Sequence, residues 1–230
     1  HHFSVHGGFQ LTSSSITINT LWVQFLSLGG KLGVNCFVLI TGYFMINSNF
    51  KLQKLFKLAV EVLFYSSLIM VIFYGLGLSN ISVKQIISSL FPITFSAYWF
   101  ATTYVMLYIL SPFINQFLKS INQKTHLKLI LVFLLFASVI PTISNISLGF
   151  ATLDWFIGLY VVAAYIRLYP NGYFNECSFN IKIALTTYGL IILSVIIFNI
   201  IGLKIPVFSK FSTYFMGMTT FPQLVTAVAL

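Results

Sequence analysis

Charge is what this 230-residue chain has least of. Charged side chains make up 7% of it, and only three, Glu61, Asp154 and Glu176, are acidic. A soluble domain carries about 25% charged residues. A chain this poor in charge cannot cover a water-facing surface, so an ordinary soluble fold is excluded and lipid is the expected solvent for most of its length. The acids form no paired-carboxylate signal and no Gly-x-Ser-x-Gly elbow is present, which removes two common hydrolase signatures. Cysteine is scarce too: Cys36 falls in an apolar run and Cys177 in a polar stretch, so the two are not expected to pair. No metal site is expected, because His1, His2 and His6 have no cysteine or carboxylate nearby in sequence. No signal peptide is visible, and both ends read as cut inside a helix.

Apolar residues are what the chain has in excess, at 58%. They gather in runs long enough to cross a bilayer. The runs predict an all-α, polytopic transmembrane bundle of about seven to eight helices forming a single domain over residues 1–230. Helices are expected at 1–9 (the tail of a first helix), 32–46, 58–78, 97–117, 129–143, 153–168, 183–201 and from 213 onward. An interfacial segment is expected from 21, and an amphipathic surface helix at 79–89. Polar loops are expected at 10–20, 47–57, 119–128, 144–149, 169–180 and 202–212.

The twelve Lys and Arg residues set the orientation. Lys51, Lys54, Lys57, Lys119, Lys124, Lys128, Arg167 and Lys182 fall on one set of loops, and Lys31, Lys84, Lys204 and Lys210 on the other. The richer set is expected to be cytoplasmic. In a soluble protein the net charge of +9 would suggest nucleic acid; here topology explains it, and nucleic acid is not an expected partner.

The first residues, His1-His2-Phe3-Ser4-Val5-His6-Gly7-Gly8, carry the clearest chemistry. His2 and His6 are four apart and share a helix face. His2 lies about eight residues, roughly 12 Å, below the outer loop. Ionisable groups at such depth usually face the bundle interior or a water-filled cavity, and neutral imidazole is a natural general base toward a hydroxyl. Satisfied interfacial histidines are the plainer alternative. Gly29-Gly30-Lys31-Leu32-Gly33 lacks the spacing of a phosphate loop, so its small residues read better as close helix packing. Asn35 and Thr41 are polar at membrane depth, as helix–helix glue or as cavity walls. Glu61 follows Lys57 by four residues and suits an ion pair. Asp154 opens a helix and suits a cap, with a substrate contact as the alternative. Tyr98-Trp99-Phe100 with Tyr104 and Tyr108 suits an interfacial belt or a platform for a sugar ring. Asn115 is a candidate lining residue.

At these residues the chain resembles the integral-membrane acyltransferases of the acyltransferase type 3 family. His1 to Gly7 resembles the end of that family's first helix with its essential histidine. Gly30-Lys31-Leu32-Gly33-Val34-Asn35-Cys36-Phe37-Val38-Leu39-Ile40-Thr41-Gly42-Tyr43 is similar to its "G-x-x-G-V-x-x-F-F-x-x-S-G-Y/F" helix, with Thr41 where Ser is usual. Tyr98-Trp99-Phe100, Tyr104, Tyr108, Pro112 and Asn115 are similar to a third helix, and 154–167 more weakly to a fourth. The resemblance implies about ten helices in the whole protein, with acyl-coenzyme A as the cytoplasmic donor and a cell-surface carbohydrate as the acceptor. The implied reaction is O-acylation, with acetyl the expected group, in a bacterial cell envelope. It also implies an Arg about eleven residues before the essential histidine, ahead of residue 1, and that spacing favours His2 over His1. Lys51, Lys54 and Lys57 would face the donor, Lys standing where Arg is more usual. His6, Lys31, Asn35, Thr41, Trp99, Tyr104 and Asp154 are then the candidate substrate-binding residues. A lipid-linked saccharide transporter or polymerase is the competing class.

Overall fold

The apolar runs fold as helices, and there is no strand among the described residues. The structure is a computed structural model and describes residues 2–9, 17–78, 82–146, 149, 151–170, 172 and 176–230. In chain order the helices are α1 (His2–His6), α2 (Ile18–Met45), α3 (Leu52–Gly75), α4 (Val83–Leu90), α5 (Trp99–Ser120), α6 (Gln123–Leu134), α7 (Ile140–Ser144), α8 (Thr152–Leu168), α9 (Cys177–Lys204) and α10 (Phe221–Ala229). Four helical stretches, α2, α3, the α6–α7 stretch and α9, are long and apolar enough to cross a membrane.

Several helices run further than the apolar patterns suggest. The interfacial segment expected from 21 merges with the next helix into the 28 residues of α2, about 42 Å of rise. That exceeds a hydrocarbon core of about 30 Å, so the ends reach the headgroups or the helix tilts. The loop expected at 47–57 is mostly helix, which puts Lys54 and Lys57 in the first turns of α3. Most of the loop expected at 119–128 is also helix. Asn122 caps α6 there, its side-chain oxygen accepting from the Thr125 N–H at 2.9 Å. In α3 and α6 a polar, lysine-bearing turn extends the helix past its apolar run, because Lys can hold its charge in the headgroup layer. The loop expected at 10–20 falls largely outside the described residues.

Helix α8 is the hub of the bundle. It is apolar on every side, as a helix enclosed by protein must be, and Trp155, Phe156, Leu159, Tyr160, Ala163 and Ala164 are all buried. It packs against α2, α5 and α6. Small residues let the backbones meet. A Cβ on Gly42 would lie 3.0 Å from both the Ala163 Cβ and the Tyr160 Cα. Those are atoms of a packed helix and cannot turn aside. Gly42→Val is therefore expected to destabilise the protein by about 1–3 kcal/mol through overpacking, read as a lower unfolding midpoint in detergent. An unchanged midpoint would show that α2 and α8 are not in such close contact.

Two prolines shape the backbone where polar groups are wanted. Pro112 inside α5 cannot donate to the Tyr108 carbonyl, and the Ser111 hydroxyl supplies that bond instead at 2.7 Å. Pro141 cannot donate to Ala137, and the residues before it, Leu135–Val139, form one π-helical turn. That turn aims Ser138 at the Thr219 carbonyl, 2.7 Å away. Gln24 and Asn199 join α2 to α9 by a reciprocal amide pair, 2.7 and 3.2 Å.

Candidate functional site

The polar groups gather at two levels of the bundle. One end carries the basic residues and is tied together by hydrogen bonds between helices. Asn115 donates to the Met45 carbonyl at the end of α2, 3.0 Å, and accepts from the Tyr160 hydroxyl, 2.7 Å. The Tyr108 hydroxyl accepts from the Lys51 N–H and donates to the Lys51 carbonyl, both at 3.2 Å. Arg167 donates to the Tyr43 hydroxyl at 3.1 Å and lies 4.9 Å from that ring's centre. The Asn115 bond satisfies a carbonyl that the end of α2 leaves open, and together these bonds fix α2, α3, α5 and α8 relative to one another.

Between α2, α3 and α5 at this end lies a polar cavity of about 400 Å³, within the range of small-molecule sites. Its walls include Ser48, Asn49, Lys54, Tyr108, Gln116 and Lys119. Of the three lysines expected to face a donor, only Lys54 lines it. Lys51 takes part through its backbone, and Lys57 pairs with Glu61 at 3.9 Å on the exposed face of α3. Asn115, expected as a lining residue, also lines the cavity.

The other level holds most of the remaining candidates. Lys31 sits over the Trp99 ring at 4.8 Å from its centre, so two residues 68 positions apart meet in a cation–π contact. Tyr104 packs edge-on against Phe37 at 5.3 Å and stacks on Phe100 at 6.2 Å. Asn35 is fully buried; its amide N–H donates to the Met218 carbonyl at 2.8 Å, and its oxygen accepts from the Trp155 indole at 2.9 Å. Thr41 donates to the Phe37 carbonyl of its own helix, 2.8 Å. The Asp154 carboxylate accepts from the Ala151 N–H at 3.0 Å, capping α8. His2 and His6 lie on the exposed side of α1 with their rings stacked, centres 5.6 Å apart. His1 lies outside the described residues.

Lys119 and Gln116 were not expected at a site, and Tyr108 was expected only in an aromatic belt or sugar platform, yet a signal for this cavity was present. Tyr108, Ser111, Asn115 and Lys119 are spaced by three, four and four along α5, which places them on one face. His126 gave no such signal. It reads as a loop residue but is buried in α6, one ring nitrogen 3.0 Å from the Val161 carbonyl and the ring edge-on to Tyr165 at 5.2 Å.

The family model described as an acyltransferase domain matches residues 1–230, the whole chain. The chain belongs to the acyltransferase type 3 family. No curated protein and no solved structure matches it. The match makes this membrane protein an acyltransferase and answers the competing transporter or polymerase reading. It also gives the motif glycine of α2 a physical meaning in this acyltransferase, since Gly42 is where α2 meets α8.

Proposed function

We propose that this acyltransferase moves an acyl group, acetyl in the simplest case, from acyl-coenzyme A to a hydroxyl of a cell-surface carbohydrate. The observation that carries the reading is the separation of chemistries along one bundle: a lysine-bearing polar cavity at one end of α2, and the histidine-bearing α1 packed on α2. The basic end would be cytoplasmic and receive the donor, and the far end would receive the acceptor. His2 acts as general base. Its ring nitrogen takes the proton as the sugar oxygen attacks the thioester carbon, and the C–S bond breaks as the tetrahedral intermediate collapses. The departing thiolate then recovers a proton, leaving a sugar ester and free coenzyme A. A brief acyl-His2 is the covalent variant of the same chemistry. Lys31 over Trp99 and the Phe37–Phe100–Tyr104 cluster are the proposed sugar-facing surface, and His6 and Asp154 are further candidates for contact with the acceptor.

The test uses membranes containing the full-length protein, acetyl-coenzyme A labelled in the acetyl group and the cell's own surface carbohydrate. Label appearing in carbohydrate as a base-labile ester, with one free thiol released per ester, is the expected result. Thiol release without ester would refute the acceptor. Orientation is checked with single cysteines in a Cys36→Ser, Cys177→Ser background. An impermeant thiol reagent on intact cells is expected to label position 15 and not position 54, and the reverse would invert the topology.

A further inference from the structure

We propose that α4 lies lengthwise in the bilayer surface at the end of the bundle opposite the lysine-bearing cavity. The partner of its apolar side is the headgroup–acyl boundary of that leaflet, and this contact holds Trp99 at headgroup depth. The surface is separate from the histidine-bearing and lysine-bearing regions, and its contact with lipid does not depend on which substrate Trp99 meets.

The first ground is pattern. At 3.6 residues per turn, Val83, Ile86, Ile87 and Leu90 fall on one side of α4, and Lys84, Gln85, Ser88 and Ser89 on the other, with none out of place. The second ground is exposure. No residue of α4 is buried, and its four apolar side chains are 39–73% exposed. The exposed apolar surface continues into Phe91 and Phe95. A helix this short is marginal in water. A capping box between Ser82 and Gln85 secures its start, and it packs on α3, but its apolar side stays open. The third ground is position. Helix α3 starts beside the lysines and rises about 36 Å over its 24 residues, more than a hydrocarbon core of about 30 Å. Its far end therefore reaches the opposite interface, where α4 follows it, and α5 starts back from there at Trp99 toward Lys119. A short amphipathic helix at that level has acyl chains for its apolar side and headgroups and water for Lys84 and the serines. The link to Trp99 is tied down. The Ala97 N–H donates to the Pro92 carbonyl at 2.9 Å and the Ser96 N–H to the Ile93 carbonyl at 3.2 Å. The Thr102 hydroxyl of α5 donates to that same Ile93 carbonyl at 3.1 Å. The depth of α4 is thereby passed to the first turn of α5, and so to Lys31 over Trp99.

The experiment uses the full-length protein in phosphatidylcholine nanodiscs. Single cysteines are placed by Val83→Cys, Lys84→Cys, Ile86→Cys, Ser88→Cys and Leu90→Cys in a Cys36→Ser, Cys177→Ser background and labelled with a nitroxide. Collision with oxygen, which concentrates among acyl chains, is compared with collision with a water-soluble nickel chelate. Labels at 83, 86 and 90 are expected to favour oxygen and to lie about 5–10 Å into the boundary, and labels at 84 and 88 to favour the chelate. The double variant Ile86→Asn, Ile87→Asn spoils the apolar side and leaves the capping box. It should shift the label at 90 from oxygen to chelate, with an unchanged unfolding midpoint in detergent because α4 buries no residue. A label introduced by Tyr98→Cys, beside Trp99, should move toward the chelate in the same variant. If all five labels on α4 favour the chelate, the helix stands in water and the proposal is overturned. If 83, 86 and 90 are shielded from both reagents, protein covers the apolar side, whether another segment of the chain or a second copy, and the proposal is equally overturned. If the label at 98 keeps its depth while the label at 90 leaves the lipid, α4 does not hold Trp99 in place and that part of the proposal is overturned.

Discussion

His2→Ala in the full-length protein is expected to lower acyl transfer by about 10²–10⁴-fold, with the amount of protein in the membrane unchanged. The rate term is what a positioned general base contributes when the nucleophile is a neutral hydroxyl. Outside the N-terminal histidines, the described groups closest in chemistry are engaged elsewhere: His126 is sealed in the core between α6 and α8, and Asp154 is occupied in capping α8. The stability term is small because His2 lies on the exposed side of a five-residue helix, stacked on His6. Truncating it opens no cavity in the core. Activity and expression should therefore separate cleanly, which they would not for a core residue. His6→Ala removes the stacking partner and should cost less. Loss confined to His1→Ala would move the base by one residue and keep the mechanism, whereas full activity in both His1→Ala and His2→Ala would remove the histidine from the chemistry.

The fold was legible because lipid enforces it. Backbone groups in hydrocarbon must bond within their own segment, so each long apolar run could be only a helix; the runs were found as helices, except that the one expected from 213 opens only at Phe221, after a 3-10 turn at Tyr214–Met216. The ends were less legible, because Lys54, Lys57, Lys119, Lys124 and Lys128 read as loop by polarity, although polar side chains continue a helix well into the headgroup layer. Pairings between helices were beyond a one-dimensional reading. Nothing in the local sequence of Gln24 announces Asn199, and nothing around Trp155 announces Asn35. The site was legible in part for the same reason. Motif spacing brought out Lys31, Asn35 and Trp99 singly. That Lys31 lies on Trp99, or that Lys54 shares a cavity with Lys119, is a property of how α2, α3 and α5 pack.

Asn35→Ala is expected to cost about 2–4 kcal/mol of stability, a second effect large enough to decide between two roles. Asn35 stands in the motif helix and invites a substrate role, yet both ends of its amide are used inside the protein. The N–H bonds Met218, the oxygen holds the Trp155 indole, and Asn35 itself is 0% exposed. An average hydrogen bond between membrane helices contributes only about 0.6 kcal/mol, because the separated helices find other partners. That figure understates this site, where truncation strands two groups in a sealed core, each at a cost of about 1–3 kcal/mol. It would loosen the Met218 turn before α10 and the packing of Trp155 on Phe133, whose ring centres are 5.9 Å apart. The measurement is a double-mutant cycle with Trp155→Phe, which removes the indole donor but keeps an aromatic ring. If Asn35 acts through Trp155, the double variant loses less stability than the two single losses combined, by about 0.5–3 kcal/mol. Strict additivity, together with a raised KM for the carbohydrate in a protein of normal unfolding midpoint, would instead make Asn35 a substrate ligand and the Trp155 bond incidental.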